Sequence, residues 1–171
     1  MKKIKFLLCF GILIISQTAC NTTTDDVVTE DLINPKINEG TDYDFTIALG
    51  EVEHVGGGRH VRPGTQLRLD TYLTNLGTDA SPGRTPTSTG YLVAWYLSTD
   101  TVITTDDIRI GSFSGNSLNP RETWRFWSDV LIPENIEGGW YYWGAIIDYT
   151  NLVDETNESN NTASGDRVII N

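Results

Sequence analysis

From residue 43 onward the chain alternates. Leu67, Leu69, Thr71 and Leu73 are interleaved with Gln66, Arg68, Asp70 and Tyr72, so an extended segment here carries one apolar and one polar face. Pro63-Gly64 opens this segment and Asn75-Leu76-Gly77 closes it. The same period predicts strands over 45–49, 91–97, 123–132, 140–148 and 162–170, with a short one over 108–110. Between them lie turn-forming clusters: Gly56 to Gly58, Ser81-Pro82-Gly83, Asn119-Pro120, Gly138-Gly139 and Asn157 to Asn161. After residue 43 no stretch keeps apolar residues at helical spacing over three turns. The pattern therefore predicts an all-β chain, an immunoglobulin-like antiparallel β-sandwich of about seven strands. Within it, Trp95 is expected at the centre of the core. Phe126, Val130 and Ile132 are expected to face inward, as are Tyr141, Trp143, Ala145 and Ile147. The same alternation turns Arg125, Trp127 and Asp129 outward, together with Trp140, Tyr142 and Ile146.

The first forty residues follow another rule. Lys2, Lys3 and Lys5 precede the apolar run Phe6 to Ile15, and small residues then lead to Ala19-Cys20. This is the layout of a secretory signal peptide, too short for a spanning helix. Thr18-Ala19-Cys20 resembles the lipobox of bacterial lipoproteins, although Gln17 stands where an aliphatic residue is usual. The resemblance implies cleavage after residue 19 and lipidation of Cys20, whose several acyl chains would anchor the protein to a bilayer. Asn21 follows the cysteine in place of an aspartate, which favours the outer over the inner membrane. Residues 20–42 are rich in Asn, Thr, Asp and Glu and are broken by Pro35 and Gly40, the composition of a flexible tether. The expected organisation is a signal peptide over 1–19, an anchor and tether over 20–42, and one domain over 43–171.

Charge and cysteine content narrow the chemistry. The formal charge is −11, and removal of the three leader lysines makes it −14. Such a surface disfavours nucleic acid and adsorption to anionic lipid. The two cysteines, Cys9 and Cys20, both lie at the start, so the domain has no disulfide, cysteine-ligated zinc or cysteine nucleophile of its own.

Several segments carry a family resemblance in combination. Pro63-Gly64 leads to Thr74-Asn75-Leu76-Gly77. The stretch from Tyr96 to Asp106 is followed by Gly111. Gly139 leads to Ala145-Ile146-Ile147-Asp148, and Val153-Asp154-Glu155 leads to Asn160-Asn161. Together they resemble the CARDB domain, a family named for a suspected role in bacterial cell adhesion. The resemblance spans about residues 43 to 171. It implies an immunoglobulin-like sandwich on a secreted or surface-bound protein, and no reaction.

Three constellations are candidates for chemistry. Asp100, Asp106 and Asp107, with threonines between them, offer oxygens to a hard cation, and calcium is the candidate cofactor. Capping of turns by the same side chains is the competing reading. Asp148, Asp154, Glu155 and Glu158 with Asn157, Asn160 and Asn161 form a second oxygen-rich segment, expected chiefly to shape the turn into the last strand. Outward Trp127, Trp140 and Tyr142 are candidates for a surface that stacks on sugar or anchors a protein. Catalysis finds no support. His54 and His60 flank a glycine turn, and nothing in the pattern indicates a carboxylate holding either on a rigid scaffold; Gly56 to Gly58 lack the lysine, hydroxyl and following helix of a phosphate loop. The expected function is a noncatalytic, lipid-anchored envelope module for adhesion or recognition of protein or glycan. The alternatives are a structural subunit of an envelope complex and a carbohydrate-active enzyme.

Overall fold

The computed structural model describes residues 42–54, 60–86, 88 and 90–171. The signal peptide, Cys20, all of the tether but Asp42, and the Gly56–Gly58 turn lie outside the described residues. Eight strands are present among them: β1 (Phe45–His54), β2 (His60–Val61), β3 (Gln66–Asn75), β4 (Leu92–Ser98), β5 (Ile108–Ser114), β6 (Thr123–Leu131), β7 (Gly139–Ile147) and β8 (Thr162–Ile170). They form a three-stranded sheet in the order β1-β3-β6 and a five-stranded sheet in the order β2-β8-β7-β4-β5.

The alternation seen in the sequence sets the two inner faces. Leu67, Leu69 and Leu73 of β3 are fully buried against Val93, Trp95 and Leu97 of β4 and Trp143, Ala145 and Ile147 of β7. Trp95 sits at the centre as expected, and its indole Nε1 donates to Thr71 Oγ1 at 3.1 Å, joining one sheet to the other. Where edge strands β5 and β6 meet, Phe113 and Phe126 pack on Trp95 at centroid distances of 5.5 and 6.0 Å, and Trp124 stacks on Phe126 at 4.5 Å. That aromatic group closes one side of the sandwich.

Three expectations are corrected. The count is eight strands, because His60–Val61 pairs with β8, and this pair runs parallel, in an arrangement otherwise antiparallel. Two residues have no period by which a sequence could show them. Strand β5 extends to Ser114, beyond the expected 108–110, since a bulge between Arg109 and Gly111, opposite Trp95 and Tyr96, shifts the phase of the apolar pattern while the pairing with β4 continues beyond it. Ile146 does point away from the inter-sheet core, yet it is buried. With Ala94, Tyr96 and Ile103 it forms a small second core on the outer face of the five-stranded sheet, roofed by residues 99–107.

Candidate functional site

The outer face of the five-stranded sheet has two halves. Ile103 covers one, and the other is open. In β7 the inward set Tyr141, Trp143, Ala145 and Ile147 forces Trp140 and Tyr142 outward. Trp140 is 49% exposed. Across the ladder Tyr142 stands opposite Arg167 of β8, and a register shift then sets Trp143 against the pair Gly165-Asp166. The Arg167 guanidinium lies 4.9 Å from the Trp140 ring centroid and 5.8 Å from that of Tyr142. A cation over both rings limits their rotamers and keeps them as a fixed ladder. The ion pairs seen among the described residues join Arg68 to Asp129 and Arg125 to Asp70, and none of them involves Arg167.

Trp127 lies elsewhere. It belongs to β6, on the outer face of the three-stranded sheet, so the structure does not bring the three outward aromatics together. Here Arg125 lies 5.1 Å from the Tyr72 ring and 5.7 Å from that of Trp127, while its two nitrogens bond Asp70 at 2.9 Å each. Asp70 is on the solvent side of β3 but only 1% exposed. The bulge in β1 between Leu49 and Val52 makes room for it. A Cβ on Gly50 would fall 2.1 Å from its Oδ2. The bidentate hydrogen bonds from Arg125 hold the Asp70 carboxyl below the usual aspartate range, against the effect of burial. Trp127 is thus one wall of an internally satisfied ion pair, a structural duty the sequence did not reveal.

The acidic segment Asp100 to Asp107 is occupied with its own backbone. Asp100 Oδ1 accepts from the Val102 N–H at 2.7 Å, and Asp107 Oδ2 from the Thr104 N–H at 2.7 Å and the Thr104 hydroxyl at 3.2 Å. Asp106 enters through its own N–H, which donates to Thr104 Oγ1 at 3.3 Å. These are turn caps. Among the described residues no three His, Cys, Asp or Glu side chains converge as a metal cage.

The second oxygen-rich segment is buried more deeply and fastens the domain entrance. Glu155 Oε2 accepts from the Phe45 N–H at 2.6 Å and Oε1 from Asn161 Nδ2 at 2.8 Å. Burial pushes the Glu155 carboxyl up to about 8, with Glu158 and Asp148 adding repulsion and the two hydrogen bonds opposing. Asn160 Nδ2 donates to Asp44 Oδ1 at 2.7 Å, and the Thr156 hydroxyl to Asp42 Oδ1 at 2.7 Å. Asp42, counted above with the tether, is therefore bound to the domain. His60 stands beside the chain end, its Nδ1 accepting from Asn171 Nδ2 at 2.8 Å. His54 ends β1 opposite Leu67.

Two sheets packed face to face around Trp95, one parallel end pair and a ladder of exposed aromatics define an immunoglobulin-like β-sandwich module. The CARDB family model matches residues 44–165, and the chain belongs to that family, whose domains are noncatalytic modules. Among solved structures, the crystal structure of the CARDB domain of a Pyrococcus furiosus protein, in complex with di-metal ions, is 21% identical with a TM-score of 0.50. It covers 78% of this chain and 97% of that one. The solution structure of the same domain is 22% identical with a TM-score of 0.50, covering 76% and 96%. At that identity the likeness shows the fold and does not carry the metal. A β-glucosidase from Erythrobacter marinus is 16% identical with a TM-score of 0.46, covering 75% of this chain and 16% of its own, too slight to bear on activity. No curated protein matches the chain.

Arg167 is the residue of this candidate site that sequence reasoning missed. Its place over Trp140 and Tyr142 depends on the β7–β8 register and on the shift at Trp143, which no local pattern encodes.

Proposed function

We propose that the protein is a noncatalytic, lipid-anchored module of the bacterial outer membrane that recognises a protein partner through the Trp140–Tyr142–Arg167 ladder. The exposed ladder itself carries this reading. Trp, Tyr and Arg are the residue types that dominate binding energy at protein interfaces, and here they are pre-ordered on a rigid sheet. A sugar-binding platform presents an open ring face. Arg167 stacked on Trp140 occupies one, so a protein is the better match than a glycan. Arg167, cationic and without a carboxylate partner among the described residues, supplies a point for an acidic group of the partner.

Anchoring rests on the Thr18-Ala19-Cys20 segment and the acidic tether that follows it.

Two variants test the reading. Trp140→Ala with Tyr142→Ala, both outward, is expected to preserve the melting temperature to within a few degrees and to abolish a stoichiometric protein complex recovered from membranes. Retention of that complex, or transfer of binding to a sugar array, would overturn protein recognition by this face. Cys20→Ser is expected to move the chain from the membrane to the soluble fraction and to remove incorporated fatty acid. Unchanged fatty-acid labelling would overturn the anchor.

A further inference from the structure

An edge strand presents backbone N–H and C=O groups with no ladder to complete, and proteins commonly blunt such edges. Among the described residues the edges are β1 and β6 of one sheet and β2 and β5 of the other. Three of them are blunted. Strand β2 has two residues, and the pairings of β1 and β5 each carry a register shift. Strand β6 is the exception: its nine residues pair with β3 without a shift, and none of them is proline, glycine or lysine. Val130 is its one buried residue, so nothing else covers the strand.

The ends of the β3–β6 ladder fix its phase. The Glu122 carbonyl accepts from the Asn75 N–H at 3.0 Å, and the Ile132 N–H donates to the Thr65 carbonyl at 3.0 Å. Even-numbered residues therefore turn their backbone groups to β3. Thr123, Arg125, Trp127, Asp129 and Leu131 turn theirs to the open edge, and these five are the exposed residues of the strand.

The strand is complementary to itself. Antiparallel pairing of two copies about a two-fold axis at Trp127 sets Arg125 of each copy opposite Asp129 of the other, with the two Trp127 side chains face to face. An axis at Arg125 or at Asp129 would oppose like charges, and one at Phe126 or Ser128 would leave Arg125 opposite an uncharged residue. The register centred on Trp127 is the one that matches the charges. Both groups keep capacity for this. Arg125 spends Nε and Nη2 on Asp70, Asp129 is bonded to Arg68, and both remain about half exposed. Pairing would also cover Trp127 and Leu131, two large apolar side chains exposed on one face of β6.

We infer that the occupant of this edge is a second copy of the chain, joined antiparallel through β6 about Trp127, so that two three-stranded sheets become one continuous sheet. The Trp140–Tyr142–Arg167 ladder lies on the other sheet and stays open, so a pair would present two ladders at once. The inference does not depend on what that ladder binds.

Disulfide trapping of the full chain in intact cells tests the register. Residues facing each other in a hydrogen-bonded antiparallel pair have Cα atoms about 5.5 Å apart, within reach of a disulfide. On mild oxidation Trp127→Cys should give an adduct of twice the chain mass, and the unmodified chain, which controls for Cys20, should give none. Arg125→Cys and Asp129→Cys each meet their own copy about 13 Å out of register, so neither should give an adduct alone. Co-expression of those two variants should restore it. Sedimentation of the unmodified chain in detergent should show a monomer–dimer equilibrium, weakened about tenfold or more by Asp129→Lys, with the melting temperature kept to within a few degrees. No adduct from Trp127→Cys or from the co-expressed pair would overturn the inference. Equal adducts from positions 125, 127 and 129 alone would do so too, as would a chain that sediments as a monomer at every concentration.

Discussion

Two polar side chains in the sandwich show how much depends on single atoms. Thr71 is fully buried, and its hydroxyl accepts the Trp95 indole N–H across the sheets. Thr71→Val keeps the shape and removes the acceptor, leaving a buried donor unsatisfied. The expected loss is about 1–3 kcal/mol in urea unfolding. Asp70 differs in being ionised. Its pKa lies below the ordinary 3.8, so the folded state favours the charged carboxylate. The stabilisation from Arg125 is then complete above 3.8 and declines as pH falls through the lower, folded-state value. Arg125→Leu is expected to destabilise the domain at neutral pH by leaving the buried Asp70 carboxylate unpaired, with the difference from the unmodified chain shrinking in acid. An equal difference at neutral and acid pH would assign the effect to lost packing on Tyr72 and Trp127. Trp95 was legible from the sequence as a tryptophan in an apolar central strand. The burial of Asp70 was not, because by alternation it falls on the wet face, and only the bulge at Gly50 and the reach of Arg125 enclose it.

Period-two patterning marked the elements wherever one face is buried and the other wet. It read the inward residues of β6 and β7 correctly, and with them the outward direction of Trp127, Trp140 and Tyr142. It was silent where an element is too short, as in β2, or where a bulge shifts the phase of the alternation, as between Arg109 and Gly111 in β5. It also read Ile146 as outward without revealing that Ile103 covers it, since that contact joins distant segments. Ile103 docks so closely that a Cβ on Gly144 would lie 2.3 Å from its Cγ1. Removing the anchor by Ile103→Ala should cost about 2–4 kcal/mol. Hydrogen exchange should rise across 99–107 while β3 and β7 stay protected. Uniform loss of protection would mean that the roof and the sandwich unfold as one unit.

At the scale of the molecule, the division of labour follows the two sheets. The outer face of the three-stranded sheet uses its aromatics internally, with Tyr72 and Trp127 flanking an arginine already paired to Asp70. The five-stranded sheet keeps Arg167 without an ion pair among the described residues, and Trp140 half exposed. Three outward aromatics were apparent in the sequence. That they belong to opposite faces was not, because strand order is a property of long-range pairing. The acidic balance of the chain fits the same picture, since Arg167 stands out as a cation on a negative background. The most direct measurement is photo-crosslinking in intact cells from a reactive amino acid placed at Tyr142, with position 127 as the control on the other face. Recognition through the ladder predicts one discrete protein adduct from position 142, lost on Arg167→Glu and absent from position 127. No adduct from position 142, or the same adduct from both faces, would contradict it.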